Sequence, residues 1–162
     1  ETGHSDLVLG AKWQIVSENG LLPAQALSPA IKFPTADAEK GLGSGEIDCD
    51  LTWIASKAIS KKVNAHINAG YTWVGNPPSE DLQDILHYGL AVDYQLFETL
   101  QLAGEIFAQK DGATVWQYNL GLRWDAADDL VFDLALGSTF SGEGPRFVAT
   151  AGLTWVFGFE SR

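Results

Sequence analysis

The sequence predicts an all-β, antiparallel transmembrane barrel, of which this chain supplies about nine meander strands in a single domain. Three observations carry that expectation. Apolar and polar residues alternate with period two along most of the chain, as they do in strands whose two faces meet different surroundings. The alternating segments run about ten residues, the length a tilted strand needs to cross the hydrocarbon layer, whereas strands of soluble proteins are commonly about five or six. The apolar face of these segments carries no Asp, Glu, Lys or Arg. Its opposite is built from Gly, Ala, Ser, Thr and Asn with a few charges, not from the Lys and Glu of a soluble surface.

The first strand, Asp6 to Ile15, sets Leu7, Leu9, Ala11, Trp13 and Ile15 against Gly10, Lys12 and Gln14. The second, Ala24 to Phe33, sets Leu27, Ile31 and Phe33 against Ser28, Ala30 and Lys32, with Pro29 inside it. A proline removes a ladder donor, so a bulge is expected there. The third places Ile47, Cys49, Leu51, Trp53 and Ala55 opposite Asp48, Asp50, Thr52 and Ser56. The fourth, Val63 to Val74, alternates Val63, Ala65, Ile67, Ala69, Tyr71 and Trp73 with Asn64, His66, Asn68, Gly70 and Thr72. The fifth has Leu86, Tyr88, Leu90, Val92 and Tyr94 against His87, Gly89, Ala91, Asp93 and Gln95. The sixth runs from Leu100 to Gln109, with Glu105 on its polar side, and the seventh from Trp116 to Trp124, with Asn119 and Arg123. The eighth spans Leu130 to Phe140, with Asp133 on its polar side, and the last Phe147 to Phe157.

Aromatic placement sharpens the reading. Trp13, Tyr94, Trp124 and Trp155 stand near the late ends of odd-numbered strands, and Phe33, Trp73 and Phe140 near those of even-numbered ones. Antiparallel order puts the two sets at opposite rims, the layout of two interfacial girdles. No run approaches the roughly 18 apolar residues of a spanning helix. The net charge of −11 argues against a nucleic-acid partner. Cys49 stands alone, which precludes an internal disulfide, and it reads as a small apolar residue. With no Met and no leader at Glu1, the chain reads as processed or cut from a longer precursor.

Connections alternate in length. Pro34 to Gly45 and Gly75 to Gln83 are long; Ser17 to Leu22, Ser56 to Lys62, Phe97 to Thr99 and Asp125 to Asp129 are shorter. Long loops outside and short turns in the periplasm would leave the final strand, near Phe157 and Phe159, ending inside, and Glu1 outside. Single-chain bacterial barrels have even strand counts, and an open sheet would leave bare edges in lipid. An odd number of further strands, three giving twelve, or another chain is therefore expected to close the barrel.

The lumen-facing set is Lys12, Lys32, Asp48, Asp50, Asn64, His66, Asn68, His87, Asp93, Glu105, Asn119, Arg123 and Asp133. Acids outnumber bases, which in a pore favours cations. The alternative is internal pairing that braces or plugs the lumen, with Arg123 and Asp133 a cross-strand pair. Hairpin arithmetic sets the two histidines apart and places no serine beside either, so no catalytic role is expected. The acidic loops (Asp37, Glu39; Glu80, Asp81, Asp84) lack diagnostic metal spacing, although Ca²⁺ or Mg²⁺ bridging lipopolysaccharide phosphates is the ligand they would suit. Gly41-x-Gly43-x-Gly45 precedes no helix and is discounted as a phosphate loop. Neither cofactor nor structural metal is expected; outer-membrane lipid, lipopolysaccharide and a small-molecule solute are the expected partners. A soluble lipocalin-like binder is a further alternative. The Gly10/Trp13 spacing that suggests it repeats at Gly70/Trp73, Gly121/Trp124 and Gly152/Trp155, as girdles do.

The residues Asp6-Leu7-Val8-Leu9-Gly10-Ala11-Lys12-Trp13, Lys32-Phe33-Pro34-Thr35-Ala36-Asp37 with Gly41-Leu42-Gly43-Ser44-Gly45, Asn68-Ala69-Gly70-Tyr71-Thr72-Trp73-Val74-Gly75 and Ala151-Gly152-Leu153-Thr154-Trp155 form a recognisable set. Together they resemble the outer-membrane family known as the MetA-pathway of phenol degradation. The likeness covers nearly the whole chain, in a family that normally extends further upstream. Ala36 departs from the family's usual Gly, and Pro29 is rare within a strand there. The resemblance implies an outer-membrane channel or uptake protein for small compounds, aromatic or hydrophobic ones among them.

Overall fold

The computed structural model describes residues 3–78 and 81–157. It is an antiparallel meander curled into a half-barrel. The strands are β1 (Leu7–Gly10), β2 (Trp13–Val16), β3 (Ala24–Phe33), β4 (Asp48–Ala58), β5 (Val63–Trp73), β6 (Ile85–Phe97), β7 (Leu100–Asp111), β8 (Ala113–Ala127), β9 (Leu130–Ser141) and β10 (Val148–Trp155). Each neighbour in the sheet is the next in sequence, except that β1 and β2 both pair with β3. Among the described residues, β10 pairs with β9 alone, and β1 and β2 with β3 alone. Phe159, Glu80 and Glu1 lie outside the described residues, as does the side chain of Glu39.

The expected first strand is present as two pieces in one register. Gly10 pairs with Ala30 and Trp13 with Leu27, and between them the Ala11 N–H donates to the Pro29 carbonyl at 3.0 Å. No return bond is possible because proline has no N–H. The bulge expected in the proline's own strand does not form: β3 pairs with β4 without a register shift from Ala24↔Ser56 to Lys32↔Asp48. The missing donor points at the edge strand, so the edge strand carries the break. Pro29→Ala is expected to join β1 and β2 and to raise unfolding free energy by about 0.5–1.5 kcal/mol, the worth of one net hydrogen bond. Protection of the new amide against hydrogen exchange is the check.

β7 and β8 are longer than the alternation suggested. Their ladder continues through Lys110↔Thr114 to Asp111↔Ala113, closing on Gly112 at φ 105°. That backbone region suits glycine.

The two faces are inverted relative to a soluble protein. Leu90 is 61% exposed and Leu120 63% exposed at mid-sheet, and no large side chain is fully buried among the described residues. Ala108 has no exposure; it lies on the outward face, where its register partners Tyr88 and Trp116 meet edge to face at 5.5 Å over it. Trp13, Tyr94, Trp124 and Trp155 are exposed toward the short-turn end, and Trp73 and Phe140 at the other, where Phe33 is half-buried. The polar face carries the chain's cross-strand hydrogen-bonding networks.

Candidate functional site

Four clusters line the polar face. At the long-loop end, Lys32 on β3 lies 2.7 Å from Asp48 on β4, 3.6 Å from Asp6, and donates to the Ser44 hydroxyl at 3.0 Å. Asp6 accepts from the Ala36 N–H at 2.9 Å, and Asp48 from the Gly75 N–H at 3.0 Å. One lysine thus ties the segment before β1, the β3–β4 loop and the β5–β6 loop to the sheet.

The second cluster centres on Asp50. Its carboxylate accepts from Thr52 and Thr72 at 2.8 Å each and meets His87 Nε2 at 2.7 Å. His87 stands on β6, so it reaches Asp50 over the intervening β5. Its register partner there is Gly70, and a Cβ built on Gly70 would collide with the His87 ring. Gly70→Val is therefore expected to expel His87 from Asp50 and to destabilise the fold by about 1–3 kcal/mol, as overpacking does. Equilibrium unfolding in detergent checks it, with Gly112→Val (a turn defect) as the contrast.

Ser56, His66 and Asp93 make the third cluster. Ser56 and His66 are register partners on β4 and β5, with the serine hydroxyl 2.8 Å from His66 Nδ1. His66 Nε2 lies 2.7 Å from Asp93 Oδ2, and Asp93 Oδ1 accepts from Asn64 at 2.8 Å and from Gln101 at 2.7 Å. Sequence reasoning set no serine beside a histidine, and the structure corrects that. The turn between β4 and β5 is Ile59–Lys62, so the ladder extends to Ala58↔Asn64 and brings Ser56 opposite His66. The two histidines are not opposite each other: His66 faces Ala91, and His87 faces Gly70.

The fourth cluster lies toward the short-turn end. Asn119 donates to Glu105 at 2.6 Å. Arg123 and Asp133 are register partners, yet Arg123 lies 3.4 Å from Asp125 while Asp133 lies over Gly152. A depression of about 370 Å³ joins the third and fourth clusters, with Ala103, Gly121 and Ala135 between His66, Asp93, Glu105, Asn119, Arg123 and Asp133. Asn68 and His87 border a smaller one of about 210 Å³. Lys12 and Ser56 border a third, also about 370 Å³.

Two of the loop acids, Asp37 and Asp84, are engaged locally. Asp37 caps the 3-10 turn Ala38–Lys40 and pairs with Lys40. Asp84 accepts from the Val74 N–H at 2.9 Å and the Tyr71 hydroxyl at 2.7 Å. Among the described residues no group of three or more His, Cys, Asp or Glu is placed to hold a metal. The Val74 N–H, with the Tyr71 hydroxyl beside it, holds the Asp84 carboxyl below its ordinary 3.8. A depressed carboxyl contributes fully above its unfolded value, and that contribution fades as pH falls through the lower folded value. The Val74 amide resonance should accordingly titrate with a midpoint below 3.8, and Asp84→Asn should remove the titration.

Comparison with curated proteins finds no match. A family model does match, over residues 1–157, and its description is the MetA-pathway of phenol degradation. With nearly the full chain covered and the same barrel-type meander in hand, the chain belongs to the MetA-pathway of phenol degradation family.

Proposed function

We propose that this chain forms the wall of an outer-membrane channel or uptake protein for small solutes, aromatic or hydrophobic compounds included. The observation that carries the reading is the inversion of the two faces. Large apolar side chains such as Leu90 and Leu120 stand outward and exposed, while His66, Asp93, Glu105 and Asn119 bond to one another or to their neighbours on the inner face. A hydrocarbon exterior makes that distribution favourable, at about 25 cal/mol for each Å² of apolar surface withdrawn from water. Lipid and lipopolysaccharide are the surrounding partners. The family's name supports small aromatic compounds as cargo. Further antiparallel strands, three giving twelve, or a second chain pair with the β1/β2 and β10 edges, since unpaired backbone in lipid costs several kcal/mol for each group. Acids on the inner face outnumber bases and give the pore a preference for cations.

A braced lumen is the second reading, favoured by the Lys32 network that ties two loops to the inner wall. Planar-bilayer recording on the refolded protein separates the two. Stepwise, cation-preferring conductance is expected of the channel. A silent trace from protein whose heat-modifiable gel mobility shows it folded would establish the plugged form.

A further inference from the structure

We propose that Ser56, His66 and Asp93 act as nucleophile, general base and positioning carboxylate in a site that cleaves small carboxylic esters, an activity separate from the channel reading. The protonation pattern follows from the hydrogen bonds. Asp93 has its Oδ1 engaged by the Asn64 and Gln101 amides, which leaves Oδ2 for His66 Nε2 at 2.7 Å. An ionised carboxylate only accepts, so Nε2 carries the ring hydrogen and Nδ1 keeps its lone pair. That lone pair faces the Ser56 hydroxyl at 2.8 Å. Nucleophile, base and orienter are thereby within hydrogen-bond reach in the required order.

Space for a substrate lies next to the nucleophile. Ser56 borders the depression of about 370 Å³ whose walls include Ala24, Ala26, Ile54 and Lys12. The apolar side chains suit a short acyl group. Lys12 has no ion-pair partner among the described residues and supplies positive charge for a developing oxyanion.

The steps balance without a co-reactant other than water. Ser56 Oγ bonds to the ester carbonyl carbon while its proton passes to His66 Nδ1, and the carbonyl electron pair moves to the oxygen. As that pair returns, the ester C–O bond breaks, and the leaving alkoxide takes the proton from Nδ1 to depart as an alcohol. Water then attacks the acyl-Ser56 ester, giving one proton to Nδ1. Collapse expels Ser56 Oγ, which recovers that proton, and a carboxylic acid leaves.

The test is labelling of the folded, detergent-solubilised full chain with a fluorophosphonate, adduct mapping by mass spectrometry, and p-nitrophenyl butyrate turnover. A single adduct on Ser56 is expected, absent from unfolded protein and formed at least about 100-fold more slowly in His66→Gln, the usual scale of general-base assistance. Asp93→Asn should lower kcat with KM unchanged, and Ser60→Ala, in the β4–β5 turn, should change nothing. Folded protein that gives no Ser56 adduct, or one that forms as fast in His66→Gln, would overturn the proposal. Mapping on the unsubstituted protein decides even if a variant misfolds. Channel conductance is scored separately on Ser56→Ala, so loss of either property leaves the other readable.

Discussion

Leu90→Arg should destabilise the protein in lipid vesicles by about 2–4 kcal/mol, the cost of a cationic side chain facing the bilayer midplane of a barrel. Leu90 lies at the middle of β6, with Ile67 and Ile106 as its outward register partners and 61% of its surface exposed. The size of the effect carries the information. Were this face in water, replacing an exposed leucine by arginine would cost little, typically within about 0.5 kcal/mol. Asn68→Arg on the inner face of β5 is the matched control, and it should cost far less because the lumen hydrates a charge. Reversible urea unfolding of both variants in vesicles measures the difference. Equal and small costs at the two positions would remove the membrane reading, and the channel with it.

Cation preference should shrink when inner-face carboxylates are neutralised by substitution. The inner face carries three fixed cations, Lys12, Lys32 and Arg123. Against them stand Asp6, Asp48, Asp50, Asp93, Glu105 and Asp133, and Asp125 on the same face as its partner Arg123. Three positive charges against seven negative leave −4; the double variant Asp50→Asn/Glu105→Gln would leave −2. Fixed charge of one sign concentrates the opposite ion inside a pore, so removing half of it should draw the reversal potential in a KCl gradient toward zero. Asp84→Asn, in the β5–β6 loop, should leave the reversal potential where it was. An unchanged reversal potential in the double variant would remove the cation preference.

How far the sequence reached depended on the range of the interaction involved. Strand identity was legible because alternation is local: every expected strand has a counterpart. Register was legible where a turn is short and marked. Arg123 and Asp133 were placed as partners across the Asp125–Asp129 turn, and they are. Ser56 opposite His66 is not legible from alternation, which stops marking the third strand at Ser56, two residues before the ladder stops at Ala58. The Asp111-Gly112 pair, a recognised hairpin signal, marks the β7–β8 turn. Contacts that skip a strand lay beyond any hairpin arithmetic. His87 reaches Asp50 only because the sheet curls and Gly70 has no side chain. Arg123 choosing Asp125 over Asp133 depends likewise on side-chain direction, which alternation does not encode.

Pro29 has a consequence for how the molecule comes apart. With the Ala11 amide bonding across the gap between two four-residue pieces, the β1/β2 edge is the least securely fastened seam among the described strands. Under mechanical load, peeling should begin there and halt at the uninterrupted β3–β4 seam. The same short pieces make this border the natural place for a neighbouring strand to be exchanged in, since little has to be broken before something new can be zipped on.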